Sequence, residues 1–280
     1  MKIFKNIIIE GSRNKKTSLD VFMPEVNSKK LPVIIFVHGF KGFKDWGHFN
    51  LLAKRFCENE FVFLKFNFSY NGTSIAKPDE IVDSESFGQN NISTELNDLG
   101  CVIDFVFSNY FPAKNIFNSK IFLIGHSRGG AIALLKAHED KRILKVISLA
   151  SVNEFGHFFS AEITNEWELK GVHYIENART KQVLPMYYQY INDLKKNQEI
   201  LNVPLALKKM SAELLIVHGS NDDAVNCKCA YEIKDWKLDA ELMIIENANH
   251  TFGAKHPWIS NELPAETKLW FERAITFFQQ

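Results

Sequence analysis

One short segment, residues 125–130, constrains the fold of this chain more than any other feature of the sequence. It has the sequence Gly-His-Ser-Arg-Gly-Gly, follows an apolar run at 120–124 and precedes a helix-forming stretch at 131–138. A Gly-x-Ser-x-Gly pattern between a strand and a helix predicts a sharp turn at Ser127, because only glycine tolerates such crowding on either side. The turn would present the serine hydroxyl, backbone N–H groups and a helix N-terminus to one cleft.

The bulk composition favours a single α/β domain over residues 1–280. The chain has 33 basic and 33 acidic residues, so its formal net charge is zero, and 46% of its residues are hydrophobic. That hydrophobic content supports a substantial buried core. Because there is no basic excess, we expect no nucleic-acid partner. No apolar stretch approaches the roughly 20 residues that span a bilayer, so we expect no membrane partner.

The N-terminus and the cysteines predict a cytoplasmic protein. The apolar run at residues 7–9 ends at Glu10 without a cleavage site, so it is not a secretory signal. The cysteine spacing does not match a paired zinc motif, and we expect free thiols, with disulfides as the alternative. The cysteines are Cys57, Cys101, Cys227 and Cys229. Monomer and homodimer both remain open.

Strands and helices alternate along most of the chain, which predicts a mostly parallel sheet with helices on both faces. Residues 2–10 and 19–23 predict two antiparallel strands, and the polar segment 70–90 predicts a loop. Apolar runs predict buried strands at 32–38, 61–68, 145–149, 213–217 and 241–245. Helices are predicted at 49–58, 92–107 and 266–278.

Residues 152–210 interrupt this alternation. They are longer than a strand-to-helix connection needs, and they contain helix-like pieces and several aromatic residues. A stretch of this length inside a compact domain predicts a structured insertion. We expect it to form a helical cap over Ser127.

The segment around Ser127 and three further segments resemble the α/β-hydrolase superfamily over residues 19–278. His38-Gly39-Phe40 follows one predicted strand, an acidic turn at 219–225 follows another, and a polar loop at 246–252 follows the last. Four motifs in this order are more specific than Gly-x-Ser-x-Gly alone. The chain most resembles serine esterases of the cinnamoyl/feruloyl esterase-like and dienelactone hydrolase-like groups. The resemblance implies an α/β-hydrolase fold with an eight-stranded, mostly parallel sheet and a helical cap insertion.

The resemblance also implies a catalytic triad of Ser127, Asp222 and His250, in the family's chain order. A serine hydroxyl needs a base to remove its proton, and the base needs a carboxylate that fixes its tautomer. Asp222 has the acid position of the family's Gly-x-x-Asp-x-x-Val loop, with Asp223 as an alternative, although Asp is also common in turns. His256, before a proline and beyond the strand end, is a weaker candidate base than His250.

By the same resemblance, the backbone N–H groups of Phe40 and Arg128 would form the oxyanion hole. We expect His38 to pack beneath the site and His126 to be structural. The Arg128 side chain fits either a contact to an acidic leaving group or a salt bridge. The side chains of Lys41, Lys44, Asp45 and Trp46 are candidates for the cleft mouth. Candidate substrate-binding residues are Gly39, Trp46, Tyr187 and Tyr188, whose aromatic members fit core packing equally well.

The implied function is hydrolysis of a small-molecule carboxylic ester with a small to medium acyl group, through an acyl-enzyme and without a metal or organic cofactor. A peptidase or a thioesterase with the same triad is the enzymatic alternative. Amides are poor substrates for such a site without a peptide-binding domain, whereas a thioester fits as well as an ester. A non-catalytic binding protein on the same fold, and acyl transfer to an alcohol other than water, are further alternatives.

Overall fold

The main structural element is a sheet of eight strands. The computed structural model describes residues 1–25, 29–156 and 159–280. The strands of the main sheet are β1 (Lys2–Glu10), β2 (Lys16–Met23), β3 (Leu31–Val37), β4 (Val62–Phe66), β5 (Phe117–His126), β6 (Ile143–Leu149), β9 (Glu213–Gly219) and β10 (Glu241–Ile245). Their order is β1-β2-β4-β3-β5-β6-β9-β10. β2 pairs antiparallel with both β1 and β4, and the other five pairs of neighbouring strands in this sheet are parallel, which confirms the predicted mostly parallel sheet.

Helices cover both faces of this sheet. They are α1 (Phe49–Glu58), α2 (Ser84–Gly88), α3 (Ile92–Phe107), α4 (Arg128–Glu139), α5 (Ala161–Lys170), α6 (Gln189–Lys196), α7 (Val203–Lys209), α8 (Lys228–Trp236) and α9 (Ala265–Gln279). Successive strand residues point to opposite faces. In β3, Val33 and Ile35 therefore pack in the core with α3, α4 and α8, whereas Ile34 and Phe36 pack with α1 and α9. None of the helices in the described ranges combines the length and apolar composition that a membrane crossing requires.

The chain between β6 and β9 forms a separate substructure. It contains α5, α6, α7 and an antiparallel pair of strands, β7 (Val172–Glu176) and β8 (Val183–Tyr187), which do not join the main sheet. The segment predicted as helical therefore also holds a β-hairpin; its residues 157 and 158 lie outside the described part of the chain. Trp167 is buried there, and its ring stacks on that of Tyr190 with centroids 6.0 Å apart.

The sheet order brings four loops to one edge. β4 lies on one side of β3 and β5 lies on the other, so the direction of strand addition reverses at β3. Ligands of open α/β sheets bind at the carboxyl ends of the strands beside such a reversal. The loops that follow β3, β5, β9 and β10 carry Phe40, Ser127, Asp222 and His250 respectively. These residues are therefore gathered at the same edge.

Candidate active site

Ser127 lies in a strained turn between β5 and α4. Its φ of 57° and ψ of −124° are uncommon for a residue with a side chain. The turn is held by a hydrogen bond from the Ser127 N–H to the Leu149 carbonyl and by one from the Gly130 N–H to the Ser127 carbonyl, each 2.9 Å long. A Cβ at Gly129 would lie 2.3 Å from the carbonyl oxygen of Val37, so only glycine fits there. The close packing thus holds the strained serine in place.

The carboxylate of Asp222 is bound to the ring of His250. Nδ1 of His250 lies 2.8 Å from Oδ2 of Asp222, and Oδ1 accepts the backbone N–H groups of Ala224 and Val225, both at 2.9 Å. Burial raises the pKa of Asp222, but hydrogen bonds from His218, His250 and Val225 outweigh burial and hold that pKa below its usual range. The carboxylate is therefore ionised at neutral pH, and Nδ1 of His250 carries the proton of their hydrogen bond. That tautomer leaves Nε2 free to accept a proton.

Two other histidines hold this pair. Nε2 of His218 donates to the Val225 carbonyl at 2.9 Å and lies 3.2 Å from Oδ2 of Asp222. Nε2 of His126 donates to the carbonyl oxygen of His250 at 2.9 Å. Burial lowers the pKa of His126 to about 3, so its ring stays neutral. His126 has the structural kind of contact that the sequence suggested, whereas sequence reasoning missed His218.

The remaining acid and base candidates lie elsewhere. Asp223 is exposed. Nδ1 of His256 accepts the backbone N–H of Gly47 at 2.9 Å. In the described part of the chain no hydrogen bond joins Oγ of Ser127 to His250, and such bonds often tighten only when substrate is bound. No group of three His, Cys, Asp or Glu side chains in the described ranges is arranged to hold a metal ion.

The segment after β3 packs directly against Ser127. A Cβ at Gly39 would lie 2.9 Å from Cβ of Ser127 and 3.4 Å from its Oγ. Phe40 and Arg128 line the same cavity as Ser127. Among the described residues, no protein acceptor receives the backbone N–H of Phe40 or of Arg128. Both groups are therefore available to a ligand beside Ser127.

His38 supports this segment from below. It is buried, its Nδ1 donates to the carbonyl of Gly39 at 2.9 Å, and its Nε2 accepts the Phe68 N–H at 3.4 Å. Burial lowers the pKa of His38 to about 4, so the ring is neutral. The contacts match the supporting position expected from the sequence.

A group of four charges, three of them buried, anchors the far end of the same segment. Nζ of Lys65 lies 2.7 Å from Asp20 and 2.5 Å from Asp45, and Nζ of Lys44 lies 2.9 Å from Asp20 and 2.5 Å from Asp45. Asp20, Lys44 and Lys65 are at most 1% exposed. Lys44 is thus inside the protein and not at the cleft mouth, because its ammonium pairs with carboxylates on β2 and in its own loop. The cluster ties the segment after β3 to β2 and β4.

Lys65→Met is expected to lower the free energy of unfolding by about 3–5 kcal/mol, because it leaves the buried carboxylate of Asp20 and the partly buried carboxylate of Asp45 facing one ammonium. Denaturant titration of the two proteins measures the difference. Lys77→Met is the control, since it removes an exposed ion pair with Glu80 and should change stability little. Equal, small changes in the two variants would contradict the anchoring role of the cluster.

Two cavities meet at Ser127 and His250. The smaller has a volume of about 160 Å³ and is lined by Gly39, Trp46 and His126, among others. The larger has a volume of about 430 Å³ and takes much of its apolar wall from the chain between β6 and β9. Those wall residues are Val152, Phe155, Phe159, Ile175, Met186 and Tyr190. Two of the candidate substrate contacts, Gly39 and Trp46, therefore line the same cavity as Ser127.

The other two candidates, Tyr187 and Tyr188, are not among the described residues that line either cavity. The hydroxyl of Tyr187 donates to Glu85, and that of Tyr188 accepts from Lys195 at 2.9 Å. Tyr190 lines the larger cavity in their place. The three tyrosines are close in sequence, but Tyr187 ends strand β8, Tyr188 lies between β8 and α6, and Tyr190 lies in the first turn of α6, so their side chains diverge.

Comparison with known proteins agrees with this architecture. The sequence profile of the BD-FAE family matches residues 19–237, and no curated protein matches the chain. Est1E from Butyrivibrio proteoclasticus, solved with ferulic acid bound, is 20% identical, with a TM-score of 0.70 and 98% of each chain covered. An esterase domain from a Rhodothermus marinus protein is 16% identical, with a TM-score of 0.65 and coverage of 99% of this chain and 98% of that one. At these identities the structures show the fold alone, which confirms the predicted α/β-hydrolase fold.

Proposed function

The chain belongs to the BD-FAE family and is a hydrolase of the α/β-hydrolase esterase type, and we propose that Ser127, His250 and Asp222 are its catalytic triad. One observation carries the proposal. His250, which is hydrogen-bonded to Asp222 at 2.8 Å, lines both cavities, and so does Ser127. A serine, a histidine and an ionised carboxylate in this order make a nucleophile, its base and the group that orients the base.

The proposed first step forms an acyl-enzyme. Nε2 of His250 takes the proton of Ser127 while Oγ attacks the ester carbonyl, and Asp222 stabilises the resulting imidazolium. The free backbone N–H groups of Phe40 and Arg128 hold the oxyanion of the tetrahedral intermediate. His250 then protonates the departing alcohol, and the carbonyl carbon stays bonded to Oγ.

The second step releases the acid. His250 removes a proton from water, the hydroxide attacks the acyl carbonyl, and the same N–H groups hold the second oxyanion. Collapse of that intermediate breaks the bond to Oγ, and His250 returns the proton to Ser127. These proton transfers need one group that acts first as a base and then as an acid, and Nε2 of His250 can do both because Nδ1 is hydrogen-bonded to Asp222.

The larger cavity is the proposed acyl site, and residues 152–210 are the proposed cap within a single domain spanning 1–280. The cap residues supply most of the apolar wall, including the rings of Phe155, Phe159 and Tyr190. Such a wall suits small to medium acyl groups, including aromatic acyl groups of the kind represented by the ferulic acid bound to Est1E. The smaller cavity beside Trp46 would then receive the alcohol.

A chain-length series of p-nitrophenyl esters, from acetate to dodecanoate, tests both proposals. We expect the wild type to prefer short or medium acyl chains and Met186→Trp to prefer shorter ones, since the larger side chain fills part of the acyl cavity. Leu169→Trp is the matched control, because Leu169 belongs to the same segment but is 89% exposed. An unchanged profile in Met186→Trp would place the acyl group elsewhere.

A fluorophosphonate probe separates the enzyme from a binding protein on the same fold. Covalent labelling at Ser127 is the expected result, because the probe requires an activated serine. A folded protein that is neither labelled nor active on any ester would favour the binding alternative. Parallel assays with a matched thioester and with an added alcohol acceptor distinguish ester hydrolysis from thioester hydrolysis and from acyl transfer.

A further inference from the structure

The side chain of Arg128 forms an ion pair below the active site. Its Nη2 donates to Oε1 of Glu95 on α3, and Glu95 is only 1% exposed. Nδ2 of Asn90 donates to the same carboxylate oxygen at 2.7 Å. The side chain of Arg128 is itself only 12% exposed, so the ion pair is largely shielded from water. The guanidinium is therefore held in one place.

The same guanidinium lies over the ring of Phe40. The distance from Cζ of Arg128 to the ring centroid is 4.2 Å, close enough for a cation–π interaction. The ring of Phe40 also lies next to that of Phe87, with the two ring centroids 5.6 Å apart. Phe40 and Arg128 are also the two residues whose backbone N–H groups are the proposed oxyanion donors. One ionic side chain thus connects both donor residues to α3.

The contacts that the Arg128 side chain already makes within the protein favour a positioning role for it over direct recognition of a substrate anion. Burial raises the pKa of Glu95 above its ordinary value, and the Arg128 guanidinium and the hydrogen bond from Asn90 offset only part of that rise. Oε1 of Glu95 accepts hydrogen bonds from both the Arg128 guanidinium and Asn90, so a substrate anion would have to compete with Glu95 for the guanidinium. Tyr190, on the cavity wall, is a further neighbour of Arg128. The guanidinium is therefore already surrounded by groups of the protein.

We propose that Arg128, held by Glu95, is a positioning residue that fixes the Phe40 ring and so keeps the Phe40 N–H aimed at the oxyanion. This inference rests on the proposed function, because it assigns a role in the same reaction. The ring of Phe40 and its N–H group are attached to the same Cα. A contact that restrains the ring therefore also restrains the backbone that sets the direction of the N–H group. An oxyanion donor contributes fully only when its direction is set before the reaction starts.

The test compares Arg128→Met, Arg128→Met/Glu95→Gln and Phe40→Leu in the full chain. The double variant removes the buried carboxylate charge that Arg128→Met alone would leave unpaired. Phe40→Leu keeps the backbone N–H and removes the ring. The control is Arg142→Met, because Arg142 also lies over a ring, that of Phe107 at 5.0 Å, and pairs with Asp104 and Asp140 away from the site.

The substrates are p-nitrophenyl butyrate and the p-nitrophenyl monoester of succinate. The first has a neutral acyl group and the second an anionic one. We expect kcat to fall on the order of tenfold to a hundredfold for both esters in the three site variants, with KM changed less than about twofold. The affinity of butylboronic acid, which mimics the tetrahedral intermediate, should fall by the same factor as kcat/KM. Arg142→Met should match the wild type.

Three results would overturn the inference. An increase in KM confined to the succinate ester would show that Arg128 binds the substrate directly. An unchanged kcat in the folded double variant would show that the ion pair is only structural. A wild type that fluorophosphonate does not label would reject the proposed function and this inference with it, whereas the first two results leave the proposed function standing.

Discussion

Ser127→Ala is expected to lower kcat/KM for p-nitrophenyl butyrate by a factor on the order of 10⁴ to 10⁶. The variant keeps the cavities and the oxyanion donors but has no oxygen that can attack the ester carbonyl. Its stability should stay within about 0.5 kcal/mol of the wild type, because Ala retains the Cβ and hence the same backbone strain at this position. Steady-state kinetics and thermal unfolding of the same preparations measure both effects.

Ser127→Gly tests the backbone strain at this position separately from the loss of the hydroxyl. It should be equally inactive, but more stable than Ser127→Ala by on the order of 1 kcal/mol, since glycine adopts a positive φ without strain and this gain exceeds its entropic cost. The wild-type φ of 57° is the reason to expect a gain here, where glycine would usually destabilise. More than a trace of activity in either variant would reject Ser127 as the nucleophile.

The elements that the sequence predicted well are those with a continuous apolar pattern. Helices α1 and α3 and strand β10 have the predicted bounds, because α3, for example, buries Leu99, Val102 and Ile103 on one side. Helix α8 was not predicted, since only Ala230 and Ile233 of its nine residues are buried and two positions do not define a period. The sequence does not predict strand β8, because Pro185 lies within it and proline disfavours a strand.

The positions of the proposed triad could be predicted because each residue lies in a loop after a recognisable strand. The contacts that support the triad could not be predicted in the same way, since they join residues far apart in sequence. Arg128 and Glu95 are separated by 33 positions and Lys65 and Asp20 by 45. Local periodicity contains no information about such pairs. His218 is the exception, because it lies next to the end of β9, only four positions before Asp222, and this spacing indicates a neighbour of Asp222.

Asp222→Asn is expected to reduce kcat about 10⁴-fold with little change in the fold, because it reverses the tautomer of His250. The backbone N–H groups of Ala224 and Val225 require an acceptor, so they hold the amide oxygen of the new side chain where Oδ1 is now. The amide NH₂ then takes the place of Oδ2 and faces Nδ1 of His250 as a donor. His250 must then carry its proton on Nε2, where it can no longer accept one from Ser127.

Asp223→Asn is the matched control, since it removes the same charge one residue away on an exposed side chain. It should retain nearly all activity, and a large loss there with a small one in Asp222→Asn would reverse the assignment of the acid. The two variants should also differ in acid stability. The folded pKa of Asp222 is lower than its unfolded value, so the ionised carboxylate stabilises the fold above the usual carboxyl pKa. That contribution is lost as the pH falls through the folded pKa, and Asp222→Asn should lack this part of the acid sensitivity while Asp223→Asn keeps it.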